Sequence, residues 1–269
     1  MIRRPISRKF TIVLGIVGIA MVSLLYEGLS LRQTRINPQQ TVVPGYRALI
    51  GGVRTVLQPQ GSESRPKPSW LWEDVRVTYW RLALGLATGI AMSLVFGLFI
   101  GAYTPVEALF NPIVTFLASI PPTAMLGVYM ILFGTRLPGY VALVAFGVFF
   151  SMVQSIYQAV QTDVSSDQID KAYTLGASEF EVLFEVVWPQ ILPRVIDSIR
   201  MHIGPAMIYL IAAEALFGSD GFGYRIKLQS RLVRMDVVFV YLAILGANGL
   251  LLNWMLLKAR RWYFPWFRG

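Results

Sequence analysis

Side-chain chemistry needs nucleophiles, acid–base groups or metal ligands held close together, and this sequence offers few. It has no cysteine and one histidine, His202, so thiolate chemistry and disulfides are excluded. No G-x-x-x-x-G-K-[ST] run is present to cradle nucleotide phosphates, and neither H-E-x-x-H nor G-x-S-x-G occurs. His202, at the mouth of an apolar run, reads as a polar residue at a helix end. Glu214 is the only acidic residue well inside an apolar run. Carboxylates are costly in hydrocarbon and often functional there. A structural or gate-side role near the end of the run is preferred for it over direct contact with a solute. The last candidate belongs to the backbone: Ser119-Ile120-Pro121-Pro122-Thr123 interrupts an apolar run. Two consecutive prolines remove amide donors and force a break or kink. The kink could pack against neighbouring helices, or the helix could be discontinuous and line a polar path. In the second case Ser119, Pro121, Pro122 and Thr123 would line that path, with Tyr209 from a later run and Glu214 at its side.

The elements that position these residues follow from composition. Of 269 residues, 55% are apolar and 14% charged, whereas soluble domains carry roughly a quarter charged residues. The mean hydropathy is +0.56, and the chain reads as an integral membrane protein. The net charge of +9 is scattered among apolar runs rather than gathered into a patch, so nucleic acid is not indicated as a partner. Six segments approach the ~20 apolar residues that span ~30 Å of hydrocarbon: roughly 10–26, 82–103, 109–133, 139–160, 201–218 and 237–257. Each must be helical, because lipid offers no partner to an unpaired amide. No alternating strand pattern suggests a barrel. The expectation is an all-α membrane protein with six spans.

The first basic and apolar segment could be a signal peptide, but Tyr26-Glu27-Gly28 is a poor cleavage site and a retained anchor is favoured. Leu29 to Pro68, rich in proline and glycine, reads as an irregular connection. Trp70-Leu71-Trp72 sits where an interfacial aromatic belt would lie. In the second span Gly85, Gly89, Gly97 and Gly101, with Ala83, Ala87 and Ala91, would let a neighbouring helix approach closely. Arg3, Arg4, Arg8 and Lys9 at one end, and Lys258, Arg260, Arg261 and Arg268 at the other, place both termini in the cytoplasm by the excess of positive charge. Six spans then leave 161–200 cytoplasmic and 27–81 outside. The chain reads as one transmembrane domain over 1–269, with an anchor helix and external loop over 1–69 and a core over 70–269 that includes the cytoplasmic loop 163–200.

The cytoplasmic stretch is polar and acidic, with seven Asp or Glu against three Lys or Arg over 161–200, so it would repel nucleic acid. Asp167 and Ser166 can cap a helix carrying Ile169, Ala172 and Tyr173 on one face. Gly176 is the natural stop. Ser178 to Glu181 forms a capping box, and Pro189 is expected to end the second short helix. An amphipathic connector lying on the membrane and a docking knob for another protein both suit this pattern.

That stretch resembles the cytoplasmic loop of ABC-importer permeases, E-A-A, three residues, G, nine residues, I-x-L-P. Asp170-Lys171-Ala172 stands for E-A-A, Gly176 for the glycine, and Val186-Val187-Trp188-Pro189 for I-x-L-P. The departures are Asp for Glu, Lys for the first Ala, and Trp188 for Leu, a bulky change on the docking surface. Ala177-Ser178, Pro193, AAEALFGSDGFGY at 212–224, Asp236 and the ending KARRWYFPW are similar to the nitrate, sulfonate, taurine and bicarbonate branch. The resemblance implies a MetI-like core with cytoplasmic coupling helices in a bacterial inner membrane. It also implies a loop (Asp170, Ala172, Gly176, Ala177, Pro189) seated on a separate ATPase, which alone binds and hydrolyses ATP. The chain itself would bind no cofactor or metal and catalyse nothing. Its partners would be two cytoplasmic ATPase subunits, a second permease copy, a periplasmic or lipid-anchored solute-binding protein, and the bilayer. The competing reading is an ATPase-independent secondary transporter or channel, for which inverted repeats and several buried charges would be expected.

Overall fold

The computed structural model describes residues 7–36, 42–60 and 67–264. All of the long elements are helices: α1 (Arg8–Ile36), α2 (Tyr46–Leu57), α3 (Trp70–Ala102), α4 (Thr104–Ala118), α5 (Leu126–Phe133), α6 (Leu137–Asp163), α7 (Ser166–Thr174), α8 (Glu179–Glu181), α9 (Trp188–Phe217), α10 (Phe222–Arg231) and α11 (Met235–Tyr263). A π-helix, Val182–Val187, joins α8 to α9. Two short strands, β1 (Pro59–Gln60) and β2 (Lys67–Ser69), pair antiparallel. Helices α1, α3, α6 and α11, and the continuous run Glu179–Phe217, are long and apolar enough to cross a membrane. The all-α, multi-span architecture is therefore as expected. Contacts group the chain into two units, Met1–Leu71 with Ile226–Ala243, and Trp72–Arg225 with Ile244–Gly269.

Within the larger unit α6 is central. Two thirds of its apolar window (67%) is buried, whereas the same measure is 0% for the Lys9–Ile36 helix in the smaller unit. Leu143, Val144, Val148, Met152 and Ile156 of α6 pack with Ile191, Leu210 and Ala213 of α9 in one fully enclosed cluster. In lipid there is little hydrophobic gain from joining two apolar helices, so close packing and interhelical hydrogen bonds must hold them. Both are present. A Cβ added at Gly85 would stand 2.5 Å from the Val144 Cβ, one at Gly97 2.7 Å from the Ile156 Cβ, and one at Gly101 2.8 Å from that of Val160. At Gly89 the neighbour is backbone, the Ala145 carbonyl oxygen at 2.8 Å. Ser93 fills the missing fourth-residue step of this ladder, its hydroxyl 2.6 Å from the Gly89 oxygen and 3.2 Å from that of Phe149. On another side of α6, the Gln154 amide donates to Asn111 Oδ1 (2.9 Å) and Thr115 Oγ1 (2.7 Å) of α4.

Gly89→Leu is expected to force α3 off α6, because backbone cannot yield as a side chain can. Overpacking of this kind costs about 1–3 kcal/mol or more. A lowered melting temperature of the purified protein, with Ala91→Leu on the same helix as a control, is the measurement. Equal melting of the two variants would deny the ladder its role.

Three expectations need correction. Leu29 to Pro68 is not irregular throughout: α1 runs on to Ile36, and α2 occupies 46–57. Two adjacent glycines and two arginines had masked the periodicity of α2. The third apolar run is not one helix over 109–133: of the two readings kept open for its prolines the discontinuous helix holds, since α4 ends at Ala118 and α5 starts at Leu126. Pro189 does not end a helix either; α9 continues from Trp188 through Pro193 and Pro205 to Phe217. The wide π turns before it explain this. Trp188 N–H bonds to the Leu183 carbonyl, five residues back, and Pro189 falls in the first turn of α9, where no α-type donor is required.

Candidate functional site

The polar loop after α6 forms a compact knob. Ser165, not Asp167 or Ser166, is the N-cap of α7, and it makes no side-chain cap bond. At the far end Gly176 has φ +90°. The Ala177 N–H bonds to the Ala172 carbonyl (3.0 Å) and the Gly176 N–H to that of Tyr173 (2.9 Å), the paired bonds of a Schellman stop. The capping box follows at once: Ser178 N–H donates to Glu181 Oε2 (2.7 Å), and Glu181 N–H to Ser178 Oγ (3.3 Å). Two helix ends thus meet across one left-handed glycine, which fixes a sharp, rigid turn. Arg194 of α9 grips Asp163 at the end of α6 with two bonds of 2.7 and 2.6 Å. This clamp joins the two stems from which the knob projects.

The knob has an inner and an outer side. Ile169, Ala172, Ala177, Val186 and Trp188 pack against the main core cluster. Trp188 is therefore a packing residue, and its bulk lies away from the exposed tip. Outward stand Asp170, Lys171, Tyr173 (47% exposed), Leu175 (88%), Phe180 (65%) and Phe184 (53%). Leu175, with the aromatic Tyr173, Phe180 and Phe184, leaves the outer side of this turn apolar and bare. Of the residues named from the motif, Asp170, Gly176 and Pro189 are exposed, while Ala172 and Ala177 support the turn from within.

The break between α4 and α5 is the second feature. Ser119 N–H and Ile120 N–H bond back to the Phe116 and Leu117 carbonyls, and the next turns run from Ala124 to Pro121, Met125 to Pro122 and Leu126 to Thr123. The carbonyls of Ala118, Ser119 and Ile120 accept no backbone hydrogen bond among the described residues. Ser119, Pro121 and Thr123 are exposed on this single chain. Pro122 turns the other way, into a cavity of about 320 Å³ shared with Ile120, Tyr129, Gly147, Ser151 and Tyr209. A Cβ at Gly147 would stand 2.8 Å from the Tyr209 ring and 3.2 Å from Pro122, so this glycine lets Tyr209 and the break meet. The sequence grouping of Pro122 with Tyr209 is thus realised in space, and Gly147 and Ser151 are additions to it. Ser151 also leads to His202. Its Nδ1 lies 2.7 Å from the Ser198 carbonyl and Nε2 3.0 Å from Ser151 Oγ. With the carbonyl able only to accept, Nδ1 carries a proton and donates to it. His202 is a strut between α6 and α9.

Glu214 lies elsewhere, in a buried ionic cluster that lines no part of this cavity. Its side chain is 0% exposed, as is that of Asp74. Thr78 Oγ1 donates to it at 2.9 Å, Arg81 at 3.0 Å and the Gly223 N–H at 3.1 Å. Arg81 also reaches Asp220 at 2.5 Å, and its guanidinium lies 4.1 Å above the Tyr140 ring. Arg225 pairs with Asp74 at 2.9 Å. The backbone closes the cluster: Gly221 N–H donates to Asp74 Oδ1 (3.2 Å) and Phe222 N–H to Thr78 Oγ1 (3.0 Å). Gly221 has φ +95°, and a Cβ there would sit 2.6 Å from the Glu214 carboxyl carbon. The loop between α9 and α10 is thereby stitched to the first turns of α3. Asp74, Thr78 and Arg81 escaped notice in the sequence, though their i, i+4, i+7 spacing places them on one helical face.

Residues 89–262 match the family described as the binding-protein-dependent transport system inner membrane component. The taurine transport system permease protein TauC of Escherichia coli strain K12 is 25% identical over 264 residues, covering 98% of this chain and 92% of that protein. A putative aliphatic sulfonates transport permease, SsuC of Bacillus subtilis strain 168, is 24% identical over 196 residues, 73% of this chain and 71% of that one. Among solved structures, an inward-facing form of the MetNI methionine ABC transporter superposes with a TM-score of 0.63 at 18% identity, covering 71% of this chain and 95% of the other. The fold is that of a MetI-like, multi-pass membrane permease. The chain belongs to the family of inner-membrane components of binding-protein-dependent transport systems. It is an ABC-importer permease subunit, and the reading as an ATPase-independent transporter or channel is set aside.

Proposed function

We propose that this permease carries a small polar oxyanion or zwitterion of the sulfonate, taurine, nitrate or bicarbonate kind, driven by a separate cytoplasmic ATPase pair that docks on the 170–184 knob. The bare apolar tip at Leu175, Phe180 and Phe184 is the observation that carries the docking part. The names of the taurine and sulfonate relatives support the solute class. Two permease copies form the unit, one knob for each ATPase, with both termini and the knobs on the cytoplasmic side and a solute-binding protein outside. ATP is used only by the partner. The solute passes between the two copies at the α4–α5 break, where the exposed Thr123 hydroxyl can donate to a solute oxyanion, and the unpaired carbonyls, with Ser119 Oγ, can accept from the ammonium or hydroxyl group of a zwitterion or protonated solute. Pro121 and Pro122 hold those carbonyls free, and Tyr209 braces the break from behind. Glu214 acts as a gate-side structural group.

The test is uptake by proteoliposomes containing the permease, the ATPase and the binding protein, with taurine, an alkanesulfonate, nitrate, bicarbonate and a cation as solutes. ATP-dependent uptake of an oxyanion or zwitterion is expected. Uptake of the cation alone, or uptake without ATPase, would overturn the assignment.

The path has its own test, because the chain is naturally free of cysteine. Ser119→Cys and Thr123→Cys are expected to react with a small water-soluble thiol reagent at rates that change with nucleotide or solute. Reaction that ignores both, or none in any state, would place the path elsewhere.

A further inference from the structure

Helix α2 has three faces when its residues are laid out at about 100° each. Leu49, Gly52 and Val56 turn inward. A Cβ at Gly52 would stand 2.5 Å from the Asp236 carbonyl oxygen, so this face rests on the first turn of α11. The next face is apolar and bare: Tyr46 (45% exposed), Ile50 (57%), Val53 (41%) and Leu57 (55%), all within an arc of about 60°. Beside that stripe stand Arg47 and Arg54, both exposed and neither in an ion pair among the described residues. Such a graded wheel belongs to a helix lying in a membrane surface.

Two spanning helices fix the depth of α2. The Tyr46 hydroxyl donates to the Ser23 carbonyl of α1 at 3.2 Å, and the Tyr26 hydroxyl to the Pro44 carbonyl at 2.6 Å. Ser23 and Tyr26 lie where the apolar run of α1 comes to its end. At the other contact, Asp236 is the second residue of α11. Thus α2 lies level with the end of one span and the start of another, at the boundary between hydrocarbon and headgroups. The Tyr26–Tyr46 ring pair, 5.8 Å apart, suits that level. The apolar window of α1 beside it is entirely unburied within this chain, as a lipid-facing region requires.

We propose that α2 lies in the plane of the membrane surface and binds an anionic phospholipid. Tyr46, Ile50, Val53 and Leu57 face the upper acyl chains, and Arg47 and Arg54 hold the headgroup phosphate. Each arginine at such a surface favours an anionic lipid by roughly fivefold.

The test uses the full chain, assembled with its ATPase subunits in nanodiscs, with an environment-sensitive fluorophore on Val53→Cys or Gly51→Cys. The Val53 probe is expected to be quenched by lipids brominated on their acyl chains and spared by aqueous iodide, with the reverse at Gly51. Quenching of the Val53 probe by iodide would overturn the proposal. So would protection from both quenchers, which would mean that a protein surface covers the stripe. In the second arm, Arg47→Gln with Arg54→Gln is expected to reduce the preference of the Val53 site for brominated phosphatidylglycerol over brominated phosphatidylcholine by roughly 30-fold. An unchanged preference would remove the arginines from lipid binding.

Discussion

Gly176→Val is expected to leave the protein inserted and the ATPase active, and to abolish solute uptake. The reason lies in the backbone. Nothing stands within 4 Å of a Cβ built at this position, while its φ is +90°, so the strain comes wholly from conformation. A β-branched residue strongly resists positive φ. To relieve the strain the chain must give up the two bonds from Gly176 and Ala177 that close α7. The capping box then loses its fixed relation to α7, and with it the placement of the exposed Leu175 and Phe180. Gly176→Asn is the informative companion, because asparagine tolerates the left-handed region. It should retain much of the transport that valine loses. Uptake and ATP hydrolysis measured together decide the matter. Normal uptake by the valine variant would show that the turn does not convey ATP-driven motion.

Glu214→Ala is expected to destabilise the folded permease by about 3–5 kcal/mol, the usual cost of leaving a buried ionic partner uncompensated. Three donors converge on that carboxylate: a hydroxyl, a guanidinium and a backbone N–H. Removing it leaves Arg81 with Asp220 alone and frees the Gly223 amide in an enclosed site. Glu214→Gln should cost less, since its amide oxygen still accepts, although its NH2 then faces donors. A paired replacement, Arg81→Met with Glu214→Leu, should recover part of the loss by restoring an apolar fit. Thermal melting of the purified protein reads all three. An alanine variant that melts with the unaltered chain would mean that the cluster adds nothing to the fold.

Much of this was legible in the residues, for identifiable reasons. Long apolar runs declare spans because lipid leaves no alternative to a helix. The glycines of α3 declared a packing face, since small residues repeated every fourth position let another helix backbone come close. Gly176 and the Ser178–Glu181 box were plain because stops and caps are local, written in three or four adjacent residues. The failures are of the opposite kind. Nothing adjacent to Pro189 says that π turns precede it, so a proline that would break an α-helix was read as doing so. Thr78 and Arg81, which bond Glu214, lie 136 and 133 residues earlier in the chain, and only the tertiary fold brings them together. Helix α2 was missed because its stripe of four apolar residues is interleaved with glycine and arginine, a pattern that an inspection for uniform greasiness passes over.

One consequence follows from the continuity of α8, the π turns and α9. Glu179 to Phe217 is an unbroken helical run of 39 residues, about 58 Å long at 1.5 Å per residue, nearly twice the thickness of the hydrocarbon. Phe180 and Glu214 therefore stand near opposite ends of one shaft. A tilt of about one degree at the knob swings the far end by about 1 Å over that length, comparable with the tolerance of a hydrogen bond. Where the shaft can bend is also written in it: Pro193 and Pro205, inside α9, each lack the amide that would stiffen their turn. A rigid shaft of this length would carry a small displacement of the knob to the ionic contacts at its far end, less whatever bending at those prolines takes up.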